Sequence, residues 1–173
     1  LNWTYNAAQT AIGFFGQVNG DFQIKDLGLV HVDITATQSV GALIGVVVGG
    51  TNKNAAISNV FATGSITADD FVGGLIGRKQ GEHINFNMIN SYFVGTVNAN
   101  GSTGYGGGIA GFLGPDAGGF FQDVFSEGAI NGTKVLGGLF GNLGENKQII
   151  NSFSRATVTA SGNIAGGLVG EVK

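Results

Sequence analysis

Catalysis and metal binding need particular side chains brought together, and this chain offers few candidates. It holds two histidines, His31 and His83, no cysteine, and only 8 basic and 11 acidic residues among 173. A metal centre needs several N, S or O donors that converge, and no metal-ligand spacing pattern includes either histidine, so each reads as a solvated loop or face residue. Asp69-Asp70 and Asp116 carry carboxylates of the kind hard cations take. With no Asp-x-Asp-x-Asp-Gly pattern and no nonapeptide calcium repeat they read as turn residues, and no metal or other cofactor is expected. There is no Gly-x-Ser-x-Gly elbow and no recurring carboxylate pair suited to glycoside hydrolysis. Gly106 to Gly111 loosely satisfies the letters of a dinucleotide fingerprint, which needs a strand before it, a helix after it and an acidic partner downstream. Here those letters belong to a recurring phrase with no helix behind it. The expectation is a protein that is not an enzyme, with no catalytic residues.

One pattern is sharper. Four aromatics, Phe61, Tyr92, Phe125 and Phe153, each stand two positions after Asn59, Asn90, Asp123 and Asn151. Two positions further come Thr63, Val94, Glu127 and Arg155. Side chains two apart on an extended strand share a face, and Glu and Arg are rarely buried unless paired. On that reading the rings form an outward ladder beside Glu127 and Arg155. Such a stripe marks an interaction surface for sugar rings or another protein, with Phe61, Tyr92, Phe125, Phe153 and Arg155 as contact residues. In the competing reading a local twist or bulge turns the rings inward as a core stack. Burial, worth roughly 1.5–3 kcal/mol per aromatic side chain, favours that alternative.

The elements that must position these residues follow from composition and repetition. Glycine supplies 33 of the 173 residues and proline 1, charged residues are 11% and hydrophobic ones 43%. A disordered chain would be richer in charge and poorer in aliphatics, and collagen would need a three-residue glycine period. The longest apolar stretch, Val40 to Val48, is far short of the 20 or so residues a membrane helix needs. The net charge of −3 comes from scattered residues, with no basic patch to gather phosphates. No nucleic-acid partner and no membrane insertion are expected. The chain starts at Leu1 without an initiator Met, and reads as a mature or excised piece of something longer.

One short phrase recurs along the chain: Gly13-Phe-Phe-Gly16, Gly41-Ala-Leu-Ile-Gly45, Gly73-Gly-Leu-Ile-Gly77, Gly107-Gly-Ile-Ala-Gly111, Gly137-Gly-Leu-Phe-Gly141 and Gly166-Gly-Leu-Val-Gly170. Between its copies lies a second, Ile57-Ser-Asn59-Val-Phe61-Ala-Thr-Gly64 and its relatives. Gly costs about 1 kcal/mol relative to Ala inside a helix, so helices are improbable. Short runs of Val, Ile, Thr and Phe bounded by Gly and Asn read as strands. A unit near 30 residues cannot bury its own apolar face, and stacking on its copies solves that. The predicted fold is all-β: a parallel β-solenoid (β-helix), right-handed by the usual crossover rule, of five to six coils. A single domain 1–173 is expected, with a lead-in 1–11, units 12–40, 41–72, 73–106, 107–136 and 137–165, and a partial unit 166–173. Phe14, Leu43, Leu75, Ile109, Leu139 and Leu168 should form an inward column, and Ile66, Val97, Ile130 and Val158 another. Asp26, Asn59, Asn90, Asp123 and Asn151 should form a polar column at a bend, where Asn and Asp tolerate unusual dihedrals. The connections after Gly45, Gly77 and Gly111 vary, and are expected as loops on one edge.

The Gly-Gly-Leu-Ile-Gly and Gly-Gly-Leu-Val-Gly phrases, followed by Ile-Ser-Asn-Val-Phe-Ala-Thr-Gly, resemble the GLUG repeat over nearly all of 12–173. That family occurs in large bacterial surface proteins, including filamentous-haemagglutinin-like adhesins and the non-catalytic part of IgA-peptidase-like proteins. The chain departs from it at Val60, Ser91, Val124 and Ser152, where a Cys often stands, and at Ala110, where a large aliphatic is usual. The resemblance implies an extracellular, cell-surface β-solenoid module with structural or adhesive duty, and brings no catalytic residues. A stalk or fibre-forming segment is the primary expectation. Its partners would be neighbouring copies or flanking repeats, with surface glycans or other proteins next. A carbohydrate-binding module and an accessory region of a surface peptidase are the alternatives. Ice binding ranks low, because Thr63, Thr67, Thr96, Thr157 and Thr159 form no single regular column.

Overall fold

The computed structural model describes residues 2–4 (backbone), 11–81, 84–114, 118–162 and 164–173. His83 and Asp116 lie outside the described residues. Strand β1 (Asn2–Thr4) precedes a first coil that contributes β2 (Phe15–Asn19) and β3 (Phe22–Thr35). The second coil runs through β4 (Ser39–Gly41), β5 (Ile44–Val48) and β6 (Lys53–Ala68). The third repeats the order as β7 (Phe71–Gly73), β8 (Ile76–Gln80) and β9 (Ile84–Ala99). In the fourth come β10 (Tyr105–Gly107), β11 (Ala110–Leu113) and β12 (Gly119–Gly132). The fifth has β13 (Val135–Gly137), β14 (Phe140–Leu143), β15 (Lys147–Ile150) and β16 (Phe153–Ala160). A sixth begins with β17 (Ile164–Gly166) and β18 (Val169–Val172).

Like strands of successive coils pair in parallel and make three sheets. The long strands form one in the order β1-β3-β6-β9-β12, with β15 and β16 both on β12; the others run β4 to β17 and β2 to β18. The chain is therefore an all-β parallel solenoid of about five turns, as its repeats predict.

The glycine phrase makes the sharp corner between the first two strands of each coil. A Cβ on Gly74 would run into the Phe93 ring and the Gly108 carbonyl, so the corner closes onto the long sheet only with glycine there. The Leu column is tied from coil to coil by backbone bonds: Leu43 N–H donates to Leu75 O, Leu75 to Ile109, Ile109 to Leu139 and Leu139 to Leu168, at 2.8–3.0 Å. Leu43, Leu75, Ile109 and Leu139 are fully buried. Ile66, Val97 and Ile130 align and are likewise buried, with Val158 aligned below them.

Two expectations need correcting. Phe14 continues the Leu43 column by register, since its neighbour Phe15 pairs with Ile44, yet it is 44% exposed. It belongs to the first coil, where no layer covers it among the described residues. The segments after Gly45, Gly77 and Gly111 do not loop at once: each continues as strand to Val48, Gln80 or Leu113 before the chain turns. Parallel pairing with like residues of the next coil, such as Val47 with Lys79, holds them extended.

Candidate functional site: an outward ladder of stacked rings

The polar column decides where the rings point. Asp26, Asn59, Asn90, Asp123 and Asn151 all adopt left-handed backbone conformations, with φ between 48° and 54°. Asn and Asp enter that region more readily than other non-glycine residues. Each such residue resets the in–out alternation of its strand. In β6, Ile57 and Val60 are both buried while Ser58 and Asn59 between them face out; in β9, Met88 and Ser91 are buried around Ile89 and Asn90. An unbroken strand would carry Phe61 to the same side as Ile57. The reset puts it outside, and Ala62, Phe93 and Ser126 inside in its stead. The irregularity considered in the sequence does exist, and it turns the rings outward, against the core stack that burial favours.

The polar column is also a hydrogen-bonded ladder. Asn59 Nδ2 donates to Asp26 Oδ1 and Asn90 Nδ2 to Asn59 Oδ1, both at 2.8 Å. Asp123, which has no amide to donate, instead accepts from Gln122 at 3.1 Å. The bend leaves some backbone donors to side chains: Val60 N–H donates to Ser91 Oγ and Val124 N–H to Ser152 Oγ, at 3.2 and 3.1 Å. The serines that depart from the repeat resemblance therefore bridge adjacent coils.

Outside the bend, Phe61, Tyr92, Phe125 and Phe153 pair in register. Their centroids are 5.2, 4.5 and 5.1 Å apart and their planes within 10° of parallel. Phe61 lies against Gly28 of the first coil, where a Cβ would come within 2.6 Å of its ring. Arg155 pairs with Glu127 at 3.1 Å and its guanidinium carbon stands 5.1 Å from the Phe153 centroid. The ladder thus has both faces of Tyr92 and Phe125 in ring-on-ring contact, one end on a glycine and the other beside an arginine. What it presents sideways is a row of ring edges. Further along the same outer face, Asn131 Nδ2 donates to Asn98 Oδ1 and Asn98 Nδ2 to Thr67 Oγ1, at 3.0 Å each.

A second aromatic group escaped the sequence reading. Phe71 and Tyr105 stack at 5.6 Å, and both meet Phe112 edge-on at 5.3 Å. Arg78 stands 5.1 Å from the Phe71 centroid and Lys134 Nζ 5.5 Å from that of Tyr105. The available signal was the position two residues before the first glycine of the phrase, filled elsewhere by Ser39, Val135 and Ile164. Two titrations are shifted. The backbone N–H of Asn54 and the Lys53 ammonium hold the Asp21 carboxyl below its usual value, and burial pulls the Lys147 ammonium down to about 8. Among the described residues, no three His, Cys, Asp or Glu side chains converge as a metal site would require.

Three-sheet coils carrying outward side-chain ladders define the class, a parallel β-solenoid. The chain is similar in fold to the crystal structure of a candidate immunoglobulin A1 protease from Bacteroides ovatus, with a TM-score of 0.68 and 23% identity. The match covers 95% of this chain and 55% of that one. It is also 30% identical to halomucin of Haloquadratum walsbyi over 149 residues, which span 81% of this chain and 2% of that much longer protein. No family model matches the chain.

Proposed function

We propose that this chain is a non-catalytic structural segment of an extracellular surface protein, a GLUG-type solenoid that holds other parts of its parent in fixed register. One observation carries the reading: the side chains that stood out in the sequence bind coil to coil. Ring lies on ring from Phe61 to Phe153, amide on carboxylate or amide from Asn90 to Asp26, and the backbone of the buried Leu column is bonded from coil to coil. The likeness in fold to part of a candidate immunoglobulin A1 protease, and in sequence to a small part of halomucin, supports placement at the cell surface and an accessory place within a larger protein.

A second reading, glycan binding by the aromatic ladder, draws support from its outward placement. Its weakness is geometric. Sugar rings stack on aromatic faces, and the faces of Tyr92 and Phe125 are taken by their neighbours. The primary test is labelling of intact producing cells with an antibody raised against this segment. Surface label removed by external protease is expected; label that appears only after lysis overturns the assignment.

A further inference from the structure

The group around Phe71, Tyr105 and Phe112 occupies the outer angle between the two short sheets, in the middle coils of the stack. The glycine corner folds those sheets until their outer faces meet. A Cβ on Gly77 would come within 2.5 Å of Val40 N and 2.9 Å of the Ser39 carbonyl carbon, and one on Gly111 within 2.6 Å of Val72 N. Side chains fill the crease that results. Phe71 and Tyr105 stand in register on one wall, Arg78 and Phe112 on the other, and both Phe71 and Tyr105 meet Phe112 across it at 5.3 Å. Val46, in register with Arg78, and Val135, in register with Tyr105, are buried there, although neither belongs to the main core.

The crease has more donors than acceptors. Arg78 and Lys134 each lie against a ring, at 5.1 and 5.5 Å from the Phe71 and Tyr105 centroids, and neither pairs with a carboxylate among the described residues. The acids nearby are engaged elsewhere: Asp70 accepts from Thr103 and Glu171 from Asn142. Arg78 Nε and Ser39 Oγ are buried without a hydrogen-bond partner, and Ser39 is fully buried. Ser39 is in register with Phe71, and its backbone abuts Gly77, the residue before Arg78. Buried polar atoms are ordinarily hydrogen-bonded, so both call for an acceptor that the fold does not supply.

We propose that this crease binds an acidic polysaccharide, a chain of carboxylate-bearing sugars laid along the solenoid axis. Nε and a terminal nitrogen of a guanidinium are the two donors a carboxylate takes in a bidentate contact, and Arg78 offers that edge. Lys134 belongs to the coil two layers further on, about 9–10 Å along the axis at the interstrand spacing, where it meets a later carboxylate of the same chain. Between them the half-buried Tyr105 and Phe112 supply apolar ring surface for sugar C–H groups, and the Tyr105 hydroxyl a donor and acceptor. An extended acidic peptide fits less well, because such peptides dock by joining a free sheet edge. Here β7, β8, β10 and β11 are each paired on both sides.

The test is isothermal titration of the 173-residue chain with polygalacturonate, beside its carboxyl-reduced neutral form and poly-glutamate. Polygalacturonate alone should bind, and more weakly as salt rises from about 0.05 to 0.5 M. Arg78→Gln and Lys134→Gln should each weaken it about tenfold or more with an unchanged circular dichroism spectrum. Lys25→Gln, at an exposed cation on the long sheet, should leave it unchanged. If Arg78→Gln does not fold, Lys134→Gln decides. No binding of polygalacturonate, equal binding of the neutral polymer, or binding that survives Lys134→Gln or a folded Arg78→Gln overturns the inference. Poly-glutamate that binds as well and is lost in the same variants gives the crease to an acidic peptide, and overturns it too. The surface-labelling result bears on none of these, so the two proposals fail separately.

Discussion

Truncating Tyr92 tests whether the ring ladder stabilises the solenoid or only decorates it. Tyr92 is stacked on both sides, by Phe61 at 5.2 Å and Phe125 at 4.5 Å; Phe153 is stacked by Phe125 alone, at 5.1 Å, and is 42% exposed. An aromatic pair is worth about 0.5–1.5 kcal/mol beyond the area it buries. Tyr92→Ala therefore loses about 1–3 kcal/mol from stacking and Phe153→Ala about half of that, with a smaller burial loss as well. Tyr92→Phe keeps both pairs and should change little. Urea unfolding followed by circular dichroism measures the differences, provided the slope with denaturant is unchanged between variants. That condition matters in a solenoid, whose terminal coils can open before the rest. The double variant Tyr92→Ala with Phe125→Ala should show a coupling of about 0.5–1.5 kcal/mol. Equal losses for Tyr92→Ala and Phe153→Ala, together with zero coupling, would refute the claim that the rings stabilise one another.

Asp123 interrupts the amide ladder, so Asp123→Asn should add a bond to Asn90 Oδ1 and stabilise by about 0.5–1 kcal/mol, read as a higher urea midpoint. Leu75→Ala, at a fully buried position in the middle of the stack, should cost about 2–5 kcal/mol by the same measurement. Burial depresses the Lys147 ammonium to about 8 from 10.5. The unfolded chain therefore holds more protons than the folded one between those values, and stability should rise as pH climbs from 8 to 10.5; pH-dependent melting shows it, and Lys147→Met should flatten the rise. A glycan array should find no binding that Phe61→Ala or Phe125→Ala removes, and sugar recognition lost in both variants would restore the carbohydrate reading.

The coil order and the apolar columns were legible because the repeat is strict. Leu43, Leu75, Ile109 and Leu139 occupy one place in one phrase, and burial requires them to lie over one another. The direction of the rings was harder, because it depends on a single torsion. Counting along an extended strand from Ile57 carries Phe61 inward, counting back from Glu127 and Arg155 carries the rings outward, and the left-handed torsion of the Asn/Asp column decides for the second. Asn in the bend was recognisable as a residue that tolerates such a torsion, while its effect on the alternation of the residues that follow was not. The group around Phe71, Tyr105 and Phe112 was missed for a different reason. Its members come from two sheets and three strands, and only the tight glycine corner brings them together.

The spacing between layers sets an unusual economy of dimensions. Each turn consumes about thirty residues and advances the axis by one interstrand distance, about 4.8 Å, whereas thirty residues of α-helix would advance about 45 Å. Height is therefore what this architecture supplies least. It yields girth, and three broad walls on which every side chain recurs at one fixed pitch. Lengthening by whole turns leaves that pitch unchanged, so positions on the walls keep their mutual distances however tall the column becomes.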